Sequence, residues 1–390
     1  MRLELPRQLE LAPQTEPSLE RVRLPSYGRY LDDFEPGEVT MHPRGYTFER
    51  SEMRAFATAF MQCNPLYLNE ELAQAHGFAG IPASSQQVFN VLLSLGVQNN
   101  SEKAMANLGY YNARFFHPVY AGDTLRAFTR VAGRRERGEG KPGIVHLETL
   151  GLDQKERVVA QYERKIMVRR RPQGSPARGK NTEDVSFPWL DAPVFELPEM
   201  LTACAGGLTA ANTYFEDFAR GDVIVHPNGR TITDEHAAWT YRVGNTHPLH
   251  YDAVFSRGLS GKMSGEPIVY GGLVFAWLEG LASRDVSENA VWEVGFTEGY
   301  HTQPAISGDT VAALTRILAC EELPGALSAG LGLVTMQLIG VKNITAADAL
   351  ETYGEELFRK EGDKRKRGLE KIGHKIFEIE RQLIVKRRGT

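Results

Sequence analysis

Cysteine is scarce in this chain. The three residues among 390, Cys63, Cys204 and Cys320, lie far apart and form no CxxC or Cys/His metal spacing. An odd cysteine count in an enzyme-sized chain favours a reducing cytoplasm. Charge of one sign is missing as well: 45 basic against 49 acidic residues give a formal net charge of −4, so no basic excess points to nucleic acid. No uncharged apolar run approaches the ~18–20 residues needed to span a bilayer. Met1-Arg2-Leu3-Glu4-Leu5-Pro6 lacks the basic-then-apolar pattern of a signal peptide. Also absent are a phosphate-cradling Walker loop, a GxGxxG after a strand and a metal cluster. The expectation is a cytoplasmic protein of two or three domains, with no nucleic-acid, membrane or metal partner.

What is present is a duplication. Tyr30-Leu31-Asp32-Asp33-Phe34-Glu35-Pro36-Gly37 answers Tyr214-Phe215-Glu216-Asp217-Phe218-Ala219-Arg220-Gly221, and His42-Pro43-Arg44-Gly45 answers His226-Pro227-Asn228-Gly229, both at an offset of 184. Asn64-Pro65-Leu66-Tyr67 matches His247-Pro248-Leu249-His250 at 183, and Ala121-Gly122-Asp123-Thr124 matches Ser307-Gly308-Asp309-Thr310 at 186. Glu163-Arg164-Lys165-Ile166 matches Glu380-Arg381-Gln382-Leu383 at 217. Five blocks in one order mark two copies of one unit. The boundaries read as an N-terminal extension 1–29, a first domain 30–171, a linker 172–211 and a second domain 212–390. The last offset places an insertion near 343–371, whose charge reads as a solvated helical excursion between two strands. Pro172, Gly174, Pro176 and Gly179 suit an exposed linker.

Each copy repeats one order of elements. Amphipathic helices are predicted over 50–61 and 234–243, from turns suited to N-capping. Longer apolar helices follow over 84–95 and 271–281. Strands are predicted over 124–131, 144–150 and 158–168, and over 310–318, 331–341 and 375–385. Alternation within 159–168 suits an antiparallel sheet with one covered face. A long helix against an antiparallel sheet, twice over, is an α+β architecture.

Chemistry concentrates in Gly244-Asn245-Thr246-His247-Pro248-Leu249-His250-Tyr251-Asp252. About twenty residues later Pro267-Ile268-Val269-Tyr270-Gly271-Gly272 turns an apolar run into a helix at a glycine pair. A histidine beside a helix N-terminus puts a base next to an oxyanion site.

These residues resemble the MaoC-like (R)-specific enoyl-CoA hydratase family, with its Gly-Asp-x-Asn-Pro-(Ile/Leu)-His-x-Asp and downstream Ile-Val-His-Gly. The narrower likeness is to the mesaconyl-CoA hydratases, also called β-methylmalyl-CoA dehydratases. It is carried by Asn107-Leu108-Gly109-Tyr110, Arg114-Phe115, Asn245-Thr246, His250 and His301-Thr302-Gln303-Pro304. The resemblance implies a tandem hot-dog fold, each half an antiparallel sheet wrapped around a long helix. It implies reversible hydration of an enoyl-CoA thioester, with no cofactor beyond the coenzyme A of the substrate. Homodimerisation stays open.

His250 is then the general base, against the plainer reading of a histidine bonded to a turn carbonyl. Asn245 stands where the family motif has Asp. Either it orients water while His250 moves protons, or hydratase chemistry has been lost, because a carboxamide cannot titrate. Gly271 offers a free backbone N–H for a developing enolate, against tight helix packing as the alternative. Tyr270, Gly272, His247 and Tyr67 complete the expected substrate pocket. The first copy holds Gln62, Asn64 and Tyr67 where the second holds Asn245, His247 and His250, so it reads as catalytically degenerate. His42 and His226 read as structural, and the runs 169–171 and 364–367 as surface charge. The alternatives in function are a hot-dog acyl-CoA thioesterase and a non-catalytic acyl-CoA-binding protein.

Overall fold

In a computed structural model, residues 15–175, 185–191, 209, 212–259 and 265–388 are described. Cys204, most of the expected linker and the start of the N-terminal extension lie outside them. The first copy supplies β1 (Val39–Thr47), α1 (Arg50–Ala59), α2 (Glu70–Ala75), α3 (Ser85–Leu95), β2 (Ala104–Phe115), β3 (Thr124–Arg135), β4 (Gly143–Leu152) and β5 (Val158–Val168). The second supplies β6 (Val223–Thr231), α4 (Glu235–Arg242), α5 (Ala253–Arg257), α6 (Gly271–Val286), β7 (Ala290–His301), β8 (Thr310–Glu322) and β9 (Leu331–Lys342). It ends with α7 (Ala346–Tyr353), α8 (Glu361–Lys366) and β10 (Lys375–Lys386).

The strands form one antiparallel sheet in the order β1-β3-β4-β5-β2-β7-β10-β9-β8-β6. Read from either end, the order is that of one repeat, and the copies join where β2 pairs β7 (Tyr110↔Gly299, Ala113↔Phe296). Within it α3 and α6 pack on each other. α3 is buried on all sides from Gln86 to Leu95, as an apolar helix inside a core must be. Ser84 starts it, its Oγ accepting from Gln87 N at 3.2 Å. The expected α+β double hot-dog is the fold observed.

The differences are instructive. The side-chain N-caps expected for α1 and α4 are missing; Asp234 spends its carboxylate on the Ser307 hydroxyl at 2.8 Å. The insertion is not a solvated excursion. Ala346, Ala349, Leu357 and Phe358 pack on Leu314, Ile339 and Val341 of the sheet, and Lys364 pairs with Glu361 at 3.1 Å, both nearly inaccessible. Its charges mark an amphipathic cover, whose apolar residues are spaced too widely to read as a stripe. Nor is the linker wholly exposed: Phe187 and Trp189 pack on Phe128, Leu150 and Leu152. His42 and His226 do sit alike, each Nε2 within 2.9 Å of a strand threonine, Thr129 and Thr315.

Candidate active site

Two turns and one helix end build the site. Asn245 Oδ1 accepts from His247 N at 2.9 Å, and His247 Nδ1 accepts from Leu249 N at 3.2 Å. Those bonds hold the short 3-10 turn Pro248–His250. The first copy builds the same turn with Gln62 Oε1 on Asn64 N and Asn64 Oδ1 on Leu66 N, both 2.9 Å. Asn245 and His247 are thus turn-forming groups in both copies. With Oδ1 engaged, the Nδ2 donors are what Asn245 offers the space it lines.

His250 closes the turn. Its Nδ1 lies 2.9 Å from Ile268 O. A carbonyl only accepts, so Nδ1 carries the proton and Nε2 keeps the lone pair. Burial and the neighbouring His247 push its pKa down to about 3, so the imidazole is neutral at physiological pH. Burial holds His247 and His301 down as well, each to about 4.

α6 begins at Gly271 directly behind Ile268. Leu273 N and Val274 N bond back to Tyr270 O, which leaves the two glycine N–H groups ahead of the helix ladder. The glycines have different duties. A Cβ on Gly271 would meet His301 Nε2 at 2.5 Å, and one on Gly272 would meet Asn90 Oδ1 at 2.1 Å. Gly271 lets the His301 ring approach; Gly272 lets α3 close on α6, its carbonyl accepting from Asn90 Nδ2 at 3.1 Å.

A cavity of about 320 Å³ brings these groups together. Asn245, His247, His250, Tyr270, Gly271 and His301 line it, together with Tyr110, Asn107, Arg164 and Ser101, and Leu93, Val97, Leu249 and Val274 supply apolar wall. Tyr270 packs at a tilt with its ring 5.4 Å from the His250 ring and accepts from Ser94 Oγ at 3.4 Å. Of the expected site residues two lie elsewhere. Gly272 serves helix packing, and Tyr67 lines a separate recess of about 30 Å³ with Ser85 and Glu293. His301, Tyr110 and Arg164 were motif or repeat letters without a role in the sequence. Only the pairing of β2 with β7 and β5 carries them to the cavity, and no local signal encodes that pairing. Within the run 169–171, Arg170 pairs with Asp32 at 2.9 Å and Arg171 with Asp33. Among the described residues no group of three His, Cys, Asp or Glu could hold a metal ion, and no helix is long and apolar enough to cross a membrane.

Comparison with known proteins agrees with this fold. The model of the mesaconyl-CoA hydratase family matches residues 13–343. A β-methylmalyl-CoA dehydratase of Chloroflexus aurantiacus is 31% identical over 308 residues, 78% of this chain and 86% of its own. A mesaconyl-CoA hydratase of Cereibacter sphaeroides is 30% identical over 321 residues, 82% and 90% of the two chains. Among solved structures, a MaoC domain dehydratase from Chloroflexus aurantiacus superposes with a TM-score of 0.74 at 26% identity, covering 93% of this chain and 98% of its own. A double-hotdog protein of Mycobacterium tuberculosis reaches 0.69 at 19% identity, covering 92% and 98%, a likeness of fold alone. The chain belongs to the mesaconyl-CoA hydratase family.

Proposed function

We propose that this protein reversibly hydrates a methyl-branched enoyl-CoA, mesaconyl-CoA, to β-methylmalyl-CoA. The observation that carries the reading is a neutral histidine, locked in one tautomer by Ile268 O, sharing a cavity with the free N-terminus of α6. His250 Nε2 takes a proton from water as the water oxygen bonds to the β-carbon. The π electrons move onto the thioester, whose oxygen becomes an enolate facing the Gly271 N–H and the positive end of the helix. The enolate then takes a proton at the α-carbon, and the imidazolium is the acid that balances it. Reversal removes water with the same groups. Asn245 has no titratable proton, so His250 carries the acid–base work and Asn245 fixes the turn and offers Nδ2 to the water. The degenerate first copy supports the partition of roles, since Tyr67 stands at the place of His250. No cofactor is required beyond the coenzyme A of the substrate.

The test is purified protein with mesaconyl-CoA. Loss of the conjugated-thioester absorbance without thiol release is the expected result. Thiol release with the double bond retained would make the protein a thioesterase, and binding without either change would make it a carrier.

A further inference from the structure

One charged group in the cavity is not used by this chemistry. Arg164 lies on β5 opposite Tyr110 of β2, is 5% exposed and lines the cavity without any acidic neighbour in the lining. Among the described residues its guanidinium has one hydrogen-bond partner, Ser101 Oγ at 3.2 Å from Nη2, while its Nε has none. A buried arginine without a counter-ion carries a desolvation cost that an anionic ligand would offset.

The second copy shows what such an arginine ordinarily has. Arg381 occupies the same place, paired across β10–β7 with Phe296 as Arg164 is paired with Tyr110 across β5–β2. It is 2% exposed and fully neutralised: Nε lies 2.8 Å from Glu293 Oε1, and Nη2 lies 3.0 Å from Glu293 Oε2 and 3.2 Å from Glu279 Oε1. α3 starts at Ser85 and α6 at Gly271, an offset of 186. The same offset relates Gly109 to Gly295, which share a φ of 152°. It carries Glu279 to Leu93 and Glu293 to Asn107, and both of those line the cavity. The two copies thus keep the arginine, but the first lacks both of its acids. In the degenerate half the protein's own carboxylate fills the space: Glu293 accepts from Ser85 Oγ and lines the recess of Tyr67. In the catalytic half the equivalent space is open.

We infer that Arg164 binds a carboxylate borne by the acyl group, so that the cavity selects monothioesters of dicarboxylic acids over plain fatty enoyl-CoAs. The planar guanidinium fork matches a carboxylate with two parallel hydrogen bonds, and Leu93 and Asn107 leave that fork without an acid. The inference rests on the reading of this cavity as an acyl-CoA site. Mesaconyl-CoA has the required form, a thioester at one end of a four-carbon chain and a free carboxylate at the other.

Succinyl-CoA and butyryl-CoA test it without catalysis. Both are saturated four-carbon thioesters that hydration cannot consume, and they differ only in ending with a carboxylate or a methyl. Calorimetric titration of the full chain is expected to show succinyl-CoA bound on the order of 100-fold more tightly, the effect of hydrogen bonds to a buried charge. In Arg164→Gln the two affinities should come within about threefold of each other. Asn107→Glu supplies to Arg164 the acid that Glu293 supplies to Arg381; it should abolish the preference with the arginine still present, and it decides the matter if Arg164→Gln does not fold. Equal affinities in the unmodified protein, or a preference that survives Asn107→Glu, would overturn the assignment. A protein that prefers succinyl-CoA but leaves mesaconyl-CoA unhydrated would refute the hydratase reading and leave the role of Arg164 standing.

Discussion

A single hydrogen bond decides which nitrogen of His250 is left free to accept a proton. Because Ile268 O holds Nδ1–H, His250→Gln can keep that bond through its amide while losing the base. Hydration should fall by roughly 10²–10⁴-fold in kcat, with the melting temperature nearly unchanged in a thermal scan. The low pKa of about 3 also has a kinetic consequence. The kcat/KM profile of the unmodified protein should show no acid limb near 6.5, and a limb at that pH would mean that another group is the base. The glycine pair separates function from packing. Gly271→Ala drives a Cβ against His301 Nε2, a ring that also lies 3.3 Å from Tyr110 Oη. It should cost on the order of 100-fold in kcat through misplaced side chains. Gly272→Ala presses on Asn90 of α3 instead and should lower stability by about 1–3 kcal/mol, read by chemical denaturation. The sequence carried the His250–Gly271 pairing, since the two segments that hold them follow each other in the order and spacing of the family pattern. It gave no role to His301, Tyr110 and Arg164, whose partners are strands apart.

At the scale of elements, the seam between β2 and β7 is where sequence reasoning had least to work with. The strands over 158–168 and 375–386 alternate or run apolar and were legible. β2 and β7 were not assigned, because Ala104–Phe115 mixes Asn107, Gly109, Asn112 and Arg114 with aromatics, and Ala290–His301 carries Gly295 and Gly299. Asn107 lines the cavity, and Gly295 and Gly299 pair across the seam, rather than serving a covered face. Gly295 makes the point physically: with φ at 152°, its Cβ would lie 1.9 Å from Ala113 O across the seam, and backbone cannot move as a side chain tip can. Gly295→Ala is expected to cost more than about 3 kcal/mol, several times the effect of an exposed helix substitution. Equilibrium denaturation checks this; a variant as stable as the parent would mean that the halves are not held by this pairing.

At the scale of the whole molecule, a set of buried histidines with depressed pKa values makes the stability pH-dependent in a defined window. His42 is pushed down to about 3 by burial, with Arg164, Arg29 and Arg44 adding to the effect; His247, His250 and His301 are depressed too. In the unfolded chain each titrates near ~6.5. Below that pH the unfolded state takes up protons that the folded state refuses, so stability is full above about 6.5 and declines as pH falls toward 3–4. The slope is about 1.4 kcal/mol per pH unit for each such histidine. Depressed carboxylates, Asp153 and Asp309 among them, lose their contribution only lower, below the ordinary carboxylate range. His42 isolates the histidine part, because it is bonded to Thr129 and lies outside the cavity lining. His42→Gln should therefore flatten the fall of the unfolding free energy between pH 6.5 and 4.5 by about 1.4 kcal/mol per unit, measured by denaturant titration at fixed ionic strength. An unchanged slope would show that His42 already titrates normally in the folded protein, and that the cationic surroundings shared with Arg164 do not repel its proton.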